Sequence, residues 1–528
     1  MRLLKFATLA AACAFVVCLS GAACAQDQPV STLTVNARIV VLDVVVTDKE
    51  GKVVNNLPQD AFTVYEDKVQ QKVRYFEAPS QHVASASVVV NSTAELQQKA
   101  PDVPVTIIVL DEINSQFADM SYARYCIERY LNTQPKPLGQ PTQLIAVDRQ
   151  KFDLLHDYTQ DPEAILTAMK KHQTAYPWMQ NLNKTDTFGQ VERLALSLGA
   201  LEQITQANMG HAGRKNIIWV GRGYPGLNIS NTSSDQDKAI RGSVQKVLNL
   251  MRDNRVTLYT VDPTAVNPQV EESISAGDLN SSGATGENGV SNGPGTPGPS
   301  AVISATGFDP MANVASFVKL AEVTGGRALY ARNDVDTQMG KSIRDGANFY
   351  TMSYSPTSDS RASSAFRKIV VKVDRPGLKV ATREGYYGDK IDIPVSAQNQ
   401  LAFDLNSASN SNMTYTGLTI SVARDGKTPN GFVVRIGSRD LSWKDAPDGN
   451  RKASVVVQAV SFGPKDKLLG RSVQGMALGI KPTTDVVSPG AAVSIASNPN
   501  PAPGAVRLRF VVRDQASGRI GTADFALQ

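Results

Sequence analysis

Few residues in this chain combine a type and a spacing that could do chemistry. The four histidines, His82, His156, His172 and His211, are scattered. No two of them stand at i, i+4 and no H-E-x-x-H run occurs, so a helix-borne zinc centre is not encoded. G-x-S-x-G is absent too, which removes the sharp turn that presents a hydrolase serine. Gly340-Lys341-Ser342 has the ending of a phosphate loop, but the first glycine of such a loop would fall on Val335, and a helical pattern precedes it. Gly325-Gly326 follows a helical pattern and reads as its cap. Glu271-Glu272 lie in a stretch too polar to build a cleft. Cys126 shares a helical period with Tyr122 and Tyr130 in SYARYCIERYL and reads as a packing residue rather than a nucleophile. No carboxylate pair can be argued into a cleft, so the elements have to say what the chain is for.

The elements are legible in blocks. Residues 33–46 (LTVNARIVVLDVVV), 62–67 and 71–78 are rich in β-branched residues and predict a small β unit after which 79–102 reads as a polar linker. From 104 the pattern changes. The continuous apolar runs 104–110, 215–221 and 256–262 predict strands buried on both faces. Helical patterns lie between and after them at 119–132, 188–207, 235–253, 311–324 and 336–347, and Asp161-Pro162-Glu163 starts one more, with Asp161 as N-cap. Strands alternating with helices predict a doubly wound α/β domain over 103–347, a parallel sheet with helices on both faces. Residues 265–306, almost all Gly, Ser, Asn and Pro, predict a disordered insertion in it. β character returns at 348–390. After a polar spacer, strands about every ten residues predict a β-sandwich over 398–528.

The 528 residues are too long for one ordinary domain. With 42% hydrophobic residues the chain can bury real cores. Its 54 basic and 49 acidic residues leave no dense basic stripe, which disfavours nucleic acid as a partner. Residues 1–25 read as a signal peptide: Arg2 and Lys5, an apolar stretch from Phe6 to about Leu19, then Ala23-Cys24-Ala25 as the cleavage pattern. No later run is long enough to span a membrane. Lipid attachment at Cys24 is the alternative, but that signal wants Leu where Gly21 stands. Cleavage also removes Cys13, Cys18 and Cys24, so Cys126 stands alone and no internal disulfide forms. The chain is expected in the periplasm, at the outer envelope or secreted.

Five stretches carry a family resemblance: VLDVVVTDKEGKVVNNLPQDAFTVYED (41–67), IIVLDEINS (107–115), AGRKNIIWVGRGYPG (212–226), LAEVTGGRALYAR (320–332) and SYSPTSDSRASSAFRKIVVKVDRPGLKVATREGYYG (353–388). With the closing VRLRFVVRDQASGRIGTADFAL, they make the chain resemble the secreted bacterial VWFA-related domain proteins, a von Willebrand factor A domain flanked by immunoglobulin-like β modules. The resemblance implies a Rossmann-like central domain. It also suggests that the N-terminal β module (31–95) is completed by 348–390, because each part alone is too small for a core.

An A domain carries a divalent cation at the C-terminal edge of its sheet, where open α/β sheets place ligands. Its ligands are a D-x-S-x-S run, a loop Thr and a later Asp. In this chain Asp111 and Ser115 match, Ile113 replaces the first Ser, and Asn114 and Glu112 are off register. Thr185 or Thr187 would supply the hydroxyl, and Arg222 stands near the expected Asp. Two readings follow. In one, Asp111, Ser115 and Thr187 hold Mg²⁺ or Ca²⁺ at a degenerate metal-ion-dependent adhesion site. In the other, Arg222 pairs with Asp111 in place of the metal, and Asp111 and Ser115 cap the strand end. Both make Asp111, Asn114, Ser115, Thr187 and Arg222 the expected partner-binding edge of a non-catalytic adhesion or interaction module, its partner a protein or an envelope polymer. The alternatives are a secreted metal-dependent hydrolase using the same edge and an envelope structural spacer.

Overall fold

The computed structural model describes residues 39–82, 88–174, 187–224, 226–228, 233–263, 309–311, 314–330, 334–357, 363–390, 396–488 and 490–527. The expected signal peptide and the expected insertion 265–306 lie outside them. The described residues belong to one unit, Ile39–Gln528.

Four strands come first: β1 (Val40–Thr47), β2 (Phe62–Glu66), β3 (Val69–Gln71) and β4 (Val73–Glu77). Residues 88–102 are more than the linker their polarity predicts. They include α1 (Thr93–Lys99), started by Ser92, whose hydroxyl accepts from the Glu95 N–H.

The α/β part follows with β5 (Val105–Asp111), α2 (Phe117–Asn132), β6 (Thr142–Val147), β7 (Phe152–Thr159), α3 (Pro162–Lys171), α4 (Thr187–Ala207), β8 (Lys215–Val220), β9 (Leu227–Asn228), α5 (Ser234–Asp253), β10 (Val256–Val261), β11 (Val314–Ala315), α6 (Phe317–Val323), β12 (Ala328–Leu329) and α7 (Val335–Ala347). The six-stranded sheet runs β12-β10-β8-β5-β6-β7. Five strands are parallel, and β7 is antiparallel to β6. The expectation of a wholly parallel sheet is corrected at that edge. FDLLHDYT returns through the tight turn in which the Asp148 N–H donates to the Lys151 carbonyl, and its half-buried strand carries no continuous apolar run.

Alternation along these strands feeds two cores. Ile107, Val109, Ile217 and Trp219 face α4, α5 and α6 through Leu201, Ile204, Leu248, Met251 and Phe317. Ile108, Leu110, Ile218 and Val220 face α2, α3 and α7 through Ile127, Ile165, Leu166 and Met339, and Cys126 packs among them. Helix starts follow local rules. The Asp161 carboxylate accepts the Glu163 N–H with Pro162 in the first turn, and Ser233 with Gln236 forms a capping box.

The chain then returns to the first four strands. β13 (Tyr350–Tyr354) and β15 (Lys379–Ala381) flank β1, giving the sheet β15-β1-β13-β4. β14 (Phe366–Val373) pairs with β2 and with β16 (Gly385–Tyr387), giving β16-β14-β2-β3. One core draws on both sheets, among its residues Leu42, Val44, Phe62, Val64, Tyr350, Ile369 and Tyr386. Strands before and after the α/β part therefore share one β unit.

The polar spacer expected next includes α8 (Ala397–Asn410). Its Asp404 carboxylate ties three parts together. Gln206 of α4 (2.9 Å) and Gln400 (2.6 Å) donate to one oxygen, and Arg513 donates to the other at 2.6 Å. Beyond α8 lie β17 (Ile420–Arg424), β18 (Phe432–Gly437), β19 (Lys444–Asp445), β20 (Arg451–Phe462), β21 (Leu468–Ile480), β22 (Ala492–Ser497), β23 (Arg507–Asp514) and β24 (Ile520–Ala526). A β17-β18-β22 sheet and a second sheet built on β20 and β23 share a core of Phe432, Val434, Ile436, Val455, Val457, Phe510 and Val512.

Candidate functional site

β5 ends at Asp111, and residues 111–115 form a buried turn at the C-terminal edge of the parallel strands. The Asp111 carboxylate is spoken for on both oxygens. Oδ1 accepts from the Ile113 N–H (3.1 Å), the Asn114 N–H (3.0 Å) and the Asn114 side-chain amide (3.2 Å). Oδ2 accepts from the same amide (3.2 Å) and from the Gly223 N–H at 2.9 Å. Asn114 also donates to Ser197 of α4 at 3.0 Å. The Ser115 hydroxyl accepts the Arg222 N–H at 3.2 Å.

The 221–223 loop can lie this close because its first residue is glycine. Gly221 has φ 151°, and a Cβ there would stand 2.4 Å from the Asp111 Cβ and 2.7 Å from the Ser115 Oγ. The loop therefore sits where a partner group or a cation would have to enter. Burial pushes the Asp111 carboxyl above its usual range, and the hydrogen bonds it accepts only partly offset this.

The expected pairing of Arg222 with Asp111 is corrected. The Arg222 peptide N–H serves Ser115, and its guanidinium instead faces Asp119 of α2 at 3.9 Å. Nor do the described residues fit a divalent cation. N–H donors, not open oxygens, surround Asp111, Ile113 offers no oxygen, and Ser115 is turned to a peptide N–H. Thr187 opens α4, but its side chain and Thr185 lie outside the described residues. Among the described residues no group of three or more His, Cys, Asp or Glu side chains is placed to hold a metal ion.

The edge also contains a cluster that sequence reasoning missed. Glu112 points away from Asp111 and is buried. It accepts from Arg124 of α2 at 2.7 Å and from Thr174 at 2.9 Å, and His172, at the C-terminal end of α3, lies 3.2 Å away. Burial alone would raise the Glu112 carboxyl. The His172 contact and the Arg124 charge outweigh it, so Glu112 titrates below its ordinary range. These residues come from three separate elements with no shared spacing, so only the fold brings them together. Beside this floor stands Phe117, the first residue of α2, with 58% of its surface exposed.

Comparison with known proteins adds little. No family model matches the chain, and no curated protein matches it. Among solved structures, a point mutant of the PilB minor pilin from Streptococcus sanguinis is 8% identical, covering 46% of this chain and 62% of that one, with a TM-score of 0.26. The match thus spans less than two thirds of the pilin's length. The SpRpn10 VWA domain is 14% identical, covering 36% of this chain and 99% of that one, with a TM-score of 0.16. Likenesses this weak carry no argument about function. No described helix is long and apolar enough to cross a membrane.

Proposed function

We propose that this is an exported, non-catalytic interaction module of the von Willebrand factor A-related kind, flanked by β-sandwich modules, that binds an envelope protein or polymer at the C-terminal edge of its central sheet. The observation that carries the reading is the pairing of a rigid floor with an exposed anchor. Asp111, Asn114, Ser115 and the 221–223 loop hydrogen-bond one another, and Phe117, two residues after Ser115, stands exposed, with Arg222 and Asp119 facing each other. Aromatic residues, Phe among them, and arginines are enriched at protein interfaces. Against a catalytic reading, the two buried carboxylates of this edge are both engaged, Glu112 by Arg124, His172 and Thr174, and Asp111 by peptide N–H groups.

The test is retention of the mature chain on immobilised cell-envelope material. Phe117→Ala combined with Arg222→Glu is expected to lower retention at least tenfold with the melting temperature unchanged. Retention equal to the parent would sink the proposal.

A further inference from the structure

The C-terminal sandwich presents a strand edge that nothing in the described residues covers. β21, at 13 residues the longest described strand, pairs with β20 and with no other described strand. Natural sheets guard such edges with charge, proline or brevity. Residues 468–480 contain no proline and no acid, and their single charge, Arg471, is drawn back onto α8 by Asn406 (2.7 Å) and Asn410 (2.9 Å). Leu468 (44%) and Val473 (58%) are exposed.

Alternation assigns the faces. Gly470, Ser472, Gln474, Met476 and Leu478 stand opposite Ser461, Ala459, Val457, Val455 and Ala453; most of these β20 partners, with Met476 and Leu478, belong to the sandwich core. Arg471, Val473, Gly475 and Ala477 share the opposite face, on the α8 side.

We propose that the chain pairs with a second copy of itself along this edge, β21 antiparallel to β21 about a twofold axis at Gln474. The sequence is self-complementary in that register. On the α8-side face, Val473 meets the partner copy's Gly475, where no atom lies within 4 Å of a would-be Cβ, and Arg471 meets Ala477. On the core-side face, Ser472 meets Met476, Gly470 meets Leu478, and Gln474 meets its own copy, amide to amide. From Gly470 to Leu478 every bulky side chain faces a smaller one, the central glutamine aside, and at the two ends Leu468 meets Ile480, an apolar pair. The two Arg471 residues end up about 20 Å apart, further than the screening length at physiological salt. An isologous twofold contact of this kind closes on itself and leaves no edge for a third copy.

The experiment uses the mature chain at roughly 100 µM, its mass measured by light scattering after gel filtration. A dimer is expected. Gly475→Lys fills the notch that Val473 needs, at a site open enough to tolerate it, and is expected to give monomer with an unchanged melting temperature. Because Cys126 is buried, single cysteines report register. Gln474→Cys should cross-link to its own copy under oxidation. Ser472→Cys alone should not, but should cross-link when mixed with Met476→Cys. A monomeric parent, a dimer that survives Gly475→Lys, or a dimer in which Gln474→Cys stays reduced would each overturn the pairing, and a monomeric parent that still binds other proteins through β21 would assign the edge to a different occupant.

Discussion

At the scale of single residues, Glu112 is the most sensitive polar group of the candidate edge. Its folded-state carboxyl titrates below its ordinary range, so the stability it contributes is present above the unfolded value of about 4.3 and is lost as pH falls through the folded one. Glu112→Gln should therefore cost about 3 kcal/mol at pH 7, as expected when a buried ion pair loses one partner. The gap between parent and variant should shrink towards pH 3. Urea midpoints at both pH values test this, and a gap that stays constant would remove the ionic account. The sequence marks Asp111 and Ser115 correctly as neighbours at a strand end, and it places Arg222 nearby. It cannot show that Arg222 reaches Ser115 through its peptide N–H, while Gly223 serves Asp111 and the Arg222 charge faces Asp119, because backbone and side chain of one residue leave in different directions.

At the scale of elements, Tyr350 ties the returning strand β13 to the loop after β1. Its hydroxyl accepts the Leu57 N–H at 3.0 Å and donates to the Val54 carbonyl at 2.9 Å, and its ring lies 4.9 Å from that of Phe62. Tyr350→Phe keeps the ring and strands a buried N–H, so a loss of about 1–3 kcal/mol in unfolding free energy is expected. A variant as stable as the parent would show that water replaces the bond.

The elements that could be read directly were those whose burial is uniform. Ile107, Ile108, Ile217 and Ile218 stand in continuous apolar runs because helices cover both faces of their strands. β7 was hidden because it is an edge strand, half-buried, with His156 and Asp157 in its middle. α8 was hidden because its buried face mixes polar with apolar residues: Asp404, Ser407 and Ser409 are buried beside Leu405 and Ala408, and Asp404 and Ser409 are held by hydrogen bonds. A hydrophobic pattern is weakened where buried polar residues stand between the apolar ones on the packed face.

At the scale of the whole molecule, Asp404 joins the α/β part to the C-terminal sandwich. Removing it leaves Arg513 buried without its partner, a defect of about 3–5 kcal/mol. Calorimetry of Asp404→Ala should therefore show a lower melting temperature with the transition still single, because Tyr415, Val511 and Ile520 stay packed in one core with the α/β residues. An unchanged melting temperature would show that the Asp404–Arg513 pair contributes nothing to the join.

The insertion of β1 between β13 and β15 also sets an order of events in time. Val44 pairs with Tyr350 and Val45 with Ala381, each more than 300 residues later, so the most apolar strand of the β unit has no strand partner until about two thirds of the chain has been made. At ordinary synthesis rates that delay is on the order of 15–60 s. Throughout it, Val-Val-Leu-Asp-Val-Val-Val is a ready template for pairing with other chains. A polypeptide built this way completes its first module only after the last residues of that module arrive, which penalises any pause midway.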